Sequence, residues 1–301
     1  MSPVAAIWMT WAVTSLWPLV GSAGVRLLEP PLFLEAGILI AVCVLSPVLI
    51  SRGGFRRMLA HDVRRSLFLA GLLASGTASL VYLWALRYTS PGAAAVVSQV
   101  EILYSAILSR RFLSERIGWE QAAATALVLA GTLLILAHDA GNGHWKGDLM
   151  ILATPWLYQV SHVLVKRLPP DVDAVTIAGA RLFYAAWVLL PFAAWALVFQ
   201  GGWPRHDGFR IARLLLVQGG VVSAAQLVLW YRAIRGADLA KSTAIILSYP
   251  ALTLLLSRVL GFEMVDAAKL MGLALSFWGA LWLSRLVRGG AAASTALQPA
   301  G

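Results

Sequence analysis

The sequence predicts an all-α integral membrane protein, with ten transmembrane helices in two inverted five-helix repeats around a central cavity. Three observations lead there. Hydrophobic residues make up 59% of the chain and charged ones 13%, against about 25% charged in ordinary globular domains. Ten apolar stretches reach the roughly 20 residues needed to cross a hydrocarbon layer about 30 Å thick. A shift of 148 residues also lays 82–131 on 230–279, pairing Ala85 with Ala233, Arg87 with Arg235, Ser109 with Ser257, Glu115 with Glu263 and Gly131 with Gly279. Each identity is weak alone. Their common register, in a chain this apolar, marks an internal duplication.

The ten spans fall at about 4–25, 30–50, 66–86, 91–109, 117–137, 149–165, 174–199, 211–231, 239–257 and 264–284, each near the length that crosses the bilayer. The first has no Lys or Arg ahead of it and exceeds a signal-peptide core, so it is expected to stay as helix one. The second holds Cys43, the single cysteine, which allows neither an intramolecular disulfide nor a cysteine-based metal site. Spans one, two, six, seven and nine contain Pro18, Pro47, Pro155, Pro191 and Pro250, which free backbone carbonyls and are expected to kink their helices. Gly71, Gly131, Gly219 and Gly279 are expected to let helices pack closely. The resulting division is a first repeat at 1–137, an outer loop at 138–147, a second repeat at 148–286 and a disordered cytoplasmic tail at 287–301.

Charge sets the orientation. The net charge is +10, but its placement matters more than its size. Arg52, Arg56, Arg57, Arg64 and Arg65 follow span two; Arg110 and Arg111 follow span four; Lys166 and Arg167 follow span six; Arg232, Arg235 and Lys241 follow span eight. These loops share one side, which the positive-inside rule makes cytoplasmic along with both termini. The location expected is therefore the cytoplasmic (inner) membrane, with anionic headgroups, not nucleic acid, as the partner of the basic residues. Five spans per half is odd, so the second half enters from the opposite face, and its loop with Arg258, Glu263 and Asp266 is accordingly less basic than its counterpart at Arg110 and Arg111. A weaker echo at a shift of 139 pairs Trp17 with Trp156, Ser22 with Ser161 and Pro30 with Pro169.

Pro250, then Gly261, Phe262 and Glu263, then Gly272 and Gly279 form a pattern that resembles the EamA-type repeat of the drug/metabolite transporter superfamily. The first half repeats the frame with Glu115 and Gly131, and Arg181 resembles an arginine common in that repeat. The resemblance covers about 4–286 and implies a ten-helix exporter of small metabolites, amino acids among them. The first half departs from the pattern, with Ile102, preceded by Glu101, at the place of Pro250, and Gly37 at the place of Arg181.

Glu101 is the sharpest candidate for a site. It lies about ten residues from each end of its span, near the bilayer midplane, where an ionisable group costs roughly 2.5–3.5 kcal/mol on insertion scales. It would bind a cationic substrate group or carry a coupling proton; the alternative is a protonated side chain hydrogen-bonded to a neighbouring helix. Gln99, Gln159 and Gln226 are polar groups at similar depth, and Tyr104, Trp17, Trp156 and Tyr249 would supply aromatic walls suited to amphipathic or cationic organic compounds. Trp8, Trp84, Trp230 and Tyr231 read as interfacial belt anchors. Arg181 could meet a substrate carboxylate but reads better as snorkelling or ion-paired, and Glu35 and His162 read as interfacial or structural. The cavity is expected between spans one, three, four, six, eight and nine.

An enzyme reading would have to use His138, Asp139, His144 and Asp148, whose spacing matches no helical metal pair and which share a loop with Gly141 and Gly143. No Gly-rich phosphate loop is present, so no nucleotide or other cofactor is expected and a gradient must drive any transport. The sequence therefore points to a secondary transporter of small amphipathic metabolites such as amino acids or organic amines, with no obligate protein partner evident and with protons as a candidate coupling ion. A lipid-linked substrate flippase and a non-transporting sensor or scaffold are the alternatives.

Overall fold

The computed structural model describes residues 1–114, 118–139, 145–201, 203–204, 207–260 and 267–296. Expectations attached to Glu115, Gly141, Gly143, His144, Gly261, Phe262, Glu263 and Asp266 lie outside the described residues. The described residues form helices joined by turns, with no strand among them. Among the described residues, six helical stretches are long and apolar enough to cross a membrane: Pro3–Val25, Pro30–Ser51, His61–Ala85, Ala174–Phe199, Gly208–Arg235 and Leu239–Val259.

Proline placement explains where several helices start and stop. Pro3, Pro18, Pro30, Pro155 and Pro250 occupy the first turns of their helices, where a missing N–H costs nothing. Three stretches break just before such a proline. Pro3–Thr14 gives way to Trp17–Val25 across Ser15 and Leu16, Trp145–Leu152 to Pro155–Lys166 across Ala153 and Thr154, and Leu239–Ile246 to Pro250–Val259 across 247–249. Three more stretches change helical type without a proline. Gly71–Ala78 and Val217–Ala225 are π-helical, and Ser98–Val100 is a 3₁₀ turn immediately ahead of Glu101. A shift of 148 carries Gly71 to Gly219, and one of 139 carries Ser15 to Thr154, so these irregularities follow the register of the sequence echo.

The freed backbone groups find partners in neighbouring helices. Thr253 Oγ1 donates to the Ser15 carbonyl at 2.9 Å, and Trp11 Nε1 donates to Ser248 Oγ at 2.9 Å. The second of these stretches, Leu239–Val259, thus satisfies a backbone carbonyl at the break in the first, Pro3–Val25, as backbone at membrane depth requires, and a side-chain bond ties the two breaks together. Pro47 and Pro191 each sit inside a helix that continues through them, Pro30–Ser51 and Ala174–Phe199.

Other helices stay regular and pack closely. Trp119–Asp139 lies along Ala267–Ala296; a Cβ on Gly279 would stand 2.8 Å from the Ala124 carbonyl oxygen, and one on Gly131 would collide with the backbone of Gly272 and Ser276. Only glycine admits that approach. The helix Ala267–Ala296 continues past 287 into the stretch read from sequence as a tail.

Loop contacts sort the connections into two groups. Arg57 pairs with Asp62 at 2.8 Å and with Asp171 at 2.7 Å, and those hydrogen bonds, Asp62 first, raise the pKa of its guanidinium. Arg167 Nη2 donates to the Phe112 carbonyl, and Arg235 Nη2 to the Pro169 carbonyl at 3.0 Å. These are the loops that carry most of the basic residues. The sparser loops meet one another instead, through Arg87 and Glu29 at 2.9 Å and through Thr89 Oγ1 donating to Asp148 at 2.8 Å.

Candidate functional site

The helices enclose a cavity of about 150 Å³ to which each of the irregular stretches contributes a polar side chain. Glu101 enters it just after the 3₁₀ turn, Ser75 from the first π-helical stretch, Ser79 from the first residue of the α-helix that follows it, and Gln218 and Ser223 from the second π-helical stretch. A π-helix widens the turn and shifts the face that its residues present, a common device at functional sites. Leu34, Ile38, Arg181 and Leu182 also contribute, so the wall includes Pro30–Ser51 and Ala174–Phe199 beyond the six spans expected.

Glu101 is half-buried, and its Oε1 accepts from Gln159 Nε2 at 2.8 Å. Gln159 is fully buried; its Nε2 also reaches Thr243 Oγ1 at 3.4 Å, while its Oε1 has no partner. Beside this pair, Tyr158 OH lies 3.2 Å from Ser79 Oγ, which itself donates to the Ala74 carbonyl. The apolar part of the wall combines aliphatic side chains such as Leu34 and Ile38 with aromatic ones. Trp17 stacks on Tyr82 with ring centres 5.5 Å apart and planes 26° apart, and Tyr249 joins them. Gln226 Nε2 donates to Thr14 Oγ1 at 3.1 Å on the same wall.

The remaining candidates stand elsewhere. Trp156 is 47% exposed and does not line the cavity. On Pro155–Lys166 the cavity face is set by Tyr158 and His162, one turn apart, and a residue two before Tyr158 points away from it. Tyr104, one turn beyond Glu101, is half-buried outside the wall. Gln99 is buried with neither amide atom partnered, and also stands behind the wall.

Several residues read from sequence as interfacial are interior. Trp230 and Tyr231 are 5% and 0% exposed, not belt anchors. Trp230 lines the cavity, with Nε1 3.1 Å from His162 Nδ1 and 3.2 Å from Nε2, which brings His162 to the wall as well. Arg181 does not snorkel. It is 4% exposed, its Nε donates to Ser75 Oγ at 2.7 Å and its Nη1 to Tyr231 OH at 2.7 Å. Glu35 is 5% exposed with Oε2 unpartnered, so it is buried within the bundle. One signal could have found Arg181: it is the only charged residue of Ala174–Phe199, as Glu101 is of 91–109.

Such a wall can hold a small molecule through an acid, a base, hydroxyls and aromatic faces. Among the described residues, no group of three or more His, Cys, Asp or Glu side chains could hold a metal ion.

Comparison with known proteins fits this architecture. The EamA-like transporter family matches over residues 3–137 and again over 145–285. A relative from Streptantibioticus cattleyicolor, described as a probable terminal-alkyne amino-acid exporter, is 24% identical over 241 residues, which is 78% of each chain. A crystal structure superposes with a TM-score of 0.76 at 21% identity, covering 95% of this chain and 98% of its own, and shows the shared fold. Since the match spans nearly all of the sequence in two successive repeats, the chain belongs to the EamA-like transporter family, as a multi-pass membrane transporter and not an enzyme.

Proposed function

We propose that this protein is a secondary transporter that exports small amphipathic metabolites carrying an amine, namely amino acids or organic amines. The observation that carries the reading is Glu101, an acid facing an internal cavity with an aromatic wall. Its carboxylate would take the substrate ammonium in the cavity, and the Trp17–Tyr82 stack would take apolar substituents. In this reading ten helices in two inverted five-helix repeats, divided near 138–147, rock about the cavity to give alternating access. The basic loops face the cytoplasm, and Glu101 also serves as the site of a coupling proton. The relative described as a probable amino-acid exporter supports the substrate class.

Counterflow of labelled amino acids and amines into proteoliposomes tests the reading, with Glu101→Gln beside the wild type at two pH values. Substrate movement that collapses in the variant supports it, whereas equal movement at both pH values in both proteins overturns it. A thermal screen adds a second arm, because a ligand at 100 times its Kd stabilises by about 2.7 kcal/mol. Stabilisation by lipids alone, equal in both proteins, would favour a lipid-linked flippase or a scaffold.

A further inference from the structure

Arg181 is the only Lys or Arg among the described residues that is buried, and it forms no ion pair with any of them. No carboxylate lies within 4 Å of it among those residues. Its two protein partners, Ser75 and Tyr231, are neutral hydroxyls. They use Nε and one hydrogen of Nη1; Nη2, with two further N–H groups, has no partner among the described residues. A buried guanidinium left uncompensated is costly at membrane depth, and such residues face water-filled cavities or ligands. Arg181 faces the cavity that Glu101 also lines.

The surroundings fix the direction of the fork. Ser75 belongs to the first π-helical stretch, and Gly71 at its start lets the backbone of Arg181 come so close that a Cβ would stand 2.7 Å from the Arg181 carbonyl oxygen. On the other side the guanidinium lies 5.9 Å from the centre of the Tyr231 ring. The chain thus holds a planar, bidentate donor rigidly while leaving one edge unused, the geometry that suits a carboxylate. Glu101 is within electrostatic reach of Arg181 without forming an ion pair with it.

We infer that Arg181 is the carboxylate-binding residue of the cavity and that, with Glu101 receiving the ammonium group, it makes the site selective for zwitterionic amino acids over the corresponding amines. The inference rests on the transport reading above and narrows it. An amine without a carboxyl group would leave the guanidinium edge unpaired, which is the kind of loss that discriminates strongly between substrates.

The test uses matched pairs in proteoliposomes: leucine against 3-methylbutylamine, and valine against isobutylamine. For the wild type, the amino acids are expected to be the better substrates. Arg181→Gln should raise KM for leucine and valine by roughly tenfold or more, the range for a lost charged hydrogen bond, while changing amine movement by less than about twofold. Arg181→Lys keeps the charge without the fork and should recover part of the loss. Equal losses for amino acids and amines in both variants would show a structural arginine and overturn the assignment. Wild-type movement of the amines in preference to the amino acids would also overturn it and leave the transport reading standing. If the wild type moved none of the four compounds, both would fall.

Discussion

The stretch 91–112, broken by a 3₁₀ turn before Glu101, and the helix Trp119–Asp139 are neighbours in sequence and opposites in construction. The first gives up regular hydrogen bonding at the depth where it delivers a carboxyl group to the cavity. The second keeps regular geometry and joins Ala267–Ala296 through glycine contacts. Elsewhere the π-helical stretches bring Ser75, Gln218 and Ser223 to the cavity, while close glycine packing joins helices of both kinds, as Gly71 and Gly219 show. Irregular backbone at membrane depth is tolerated where protein groups can satisfy it, as Thr253 does for Ser15. Site and scaffold are therefore separable targets.

Substitutions can break that separation, or confirm it. The largest stability effect is expected from Gly279→Leu, which drives a side chain into the Ala124 backbone. It should destabilise by about 3 kcal/mol or more, seen as a drop in the detergent unfolding temperature, with substrate KM unchanged in whatever folds. Thr253→Val should cost about 1–3 kcal/mol, because it strips the partner from a buried backbone carbonyl. Trp11→Phe removes the indole bond to Ser248 but keeps most of the ring, and should cost about 1 kcal/mol in the same assay. Glu101→Gln keeps an oxygen to accept from Gln159 and should change stability by less than about 0.5 kcal/mol while transport collapses. If it instead unfolds the protein, site and scaffold are not separate. The smallest effect is expected from Arg87→Gln, since its pair with Glu29 is partly exposed; about 0.5 kcal/mol or less would be lost, and less still in high salt.

Much of the fold was legible in particular residues. Prolines 18, 155 and 250 mark real breaks, while Pro47 and Pro191 carry the same signal and end nothing. A proline frees a carbonyl in either case, and whether the helix stops depends on what the neighbouring helices offer it. The candidate site was legible in part. Glu101, Trp17, Gln226 and Tyr249 reach the cavity wall and Gln159 binds Glu101 from behind it, whereas Trp156 lies on an outward face.

The sequence by itself determines a membrane-embedded, duplicated chain that carries solitary charges, Glu101 and Arg181 among them, in otherwise uncharged spans. Those properties are local, since apolar length and an isolated charge can be read without knowing what packs against what. Only the tertiary structure decided that Gln159 meets Glu101 across 58 residues, that Arg181 meets Ser75 across 106, and that Trp230 and Tyr231 turn inward. The physical reason is the solvent. Lipid is as apolar as a protein interior, so helix faces toward lipid and toward protein carry the same kinds of residue, and hydropathy cannot say which face turns inward.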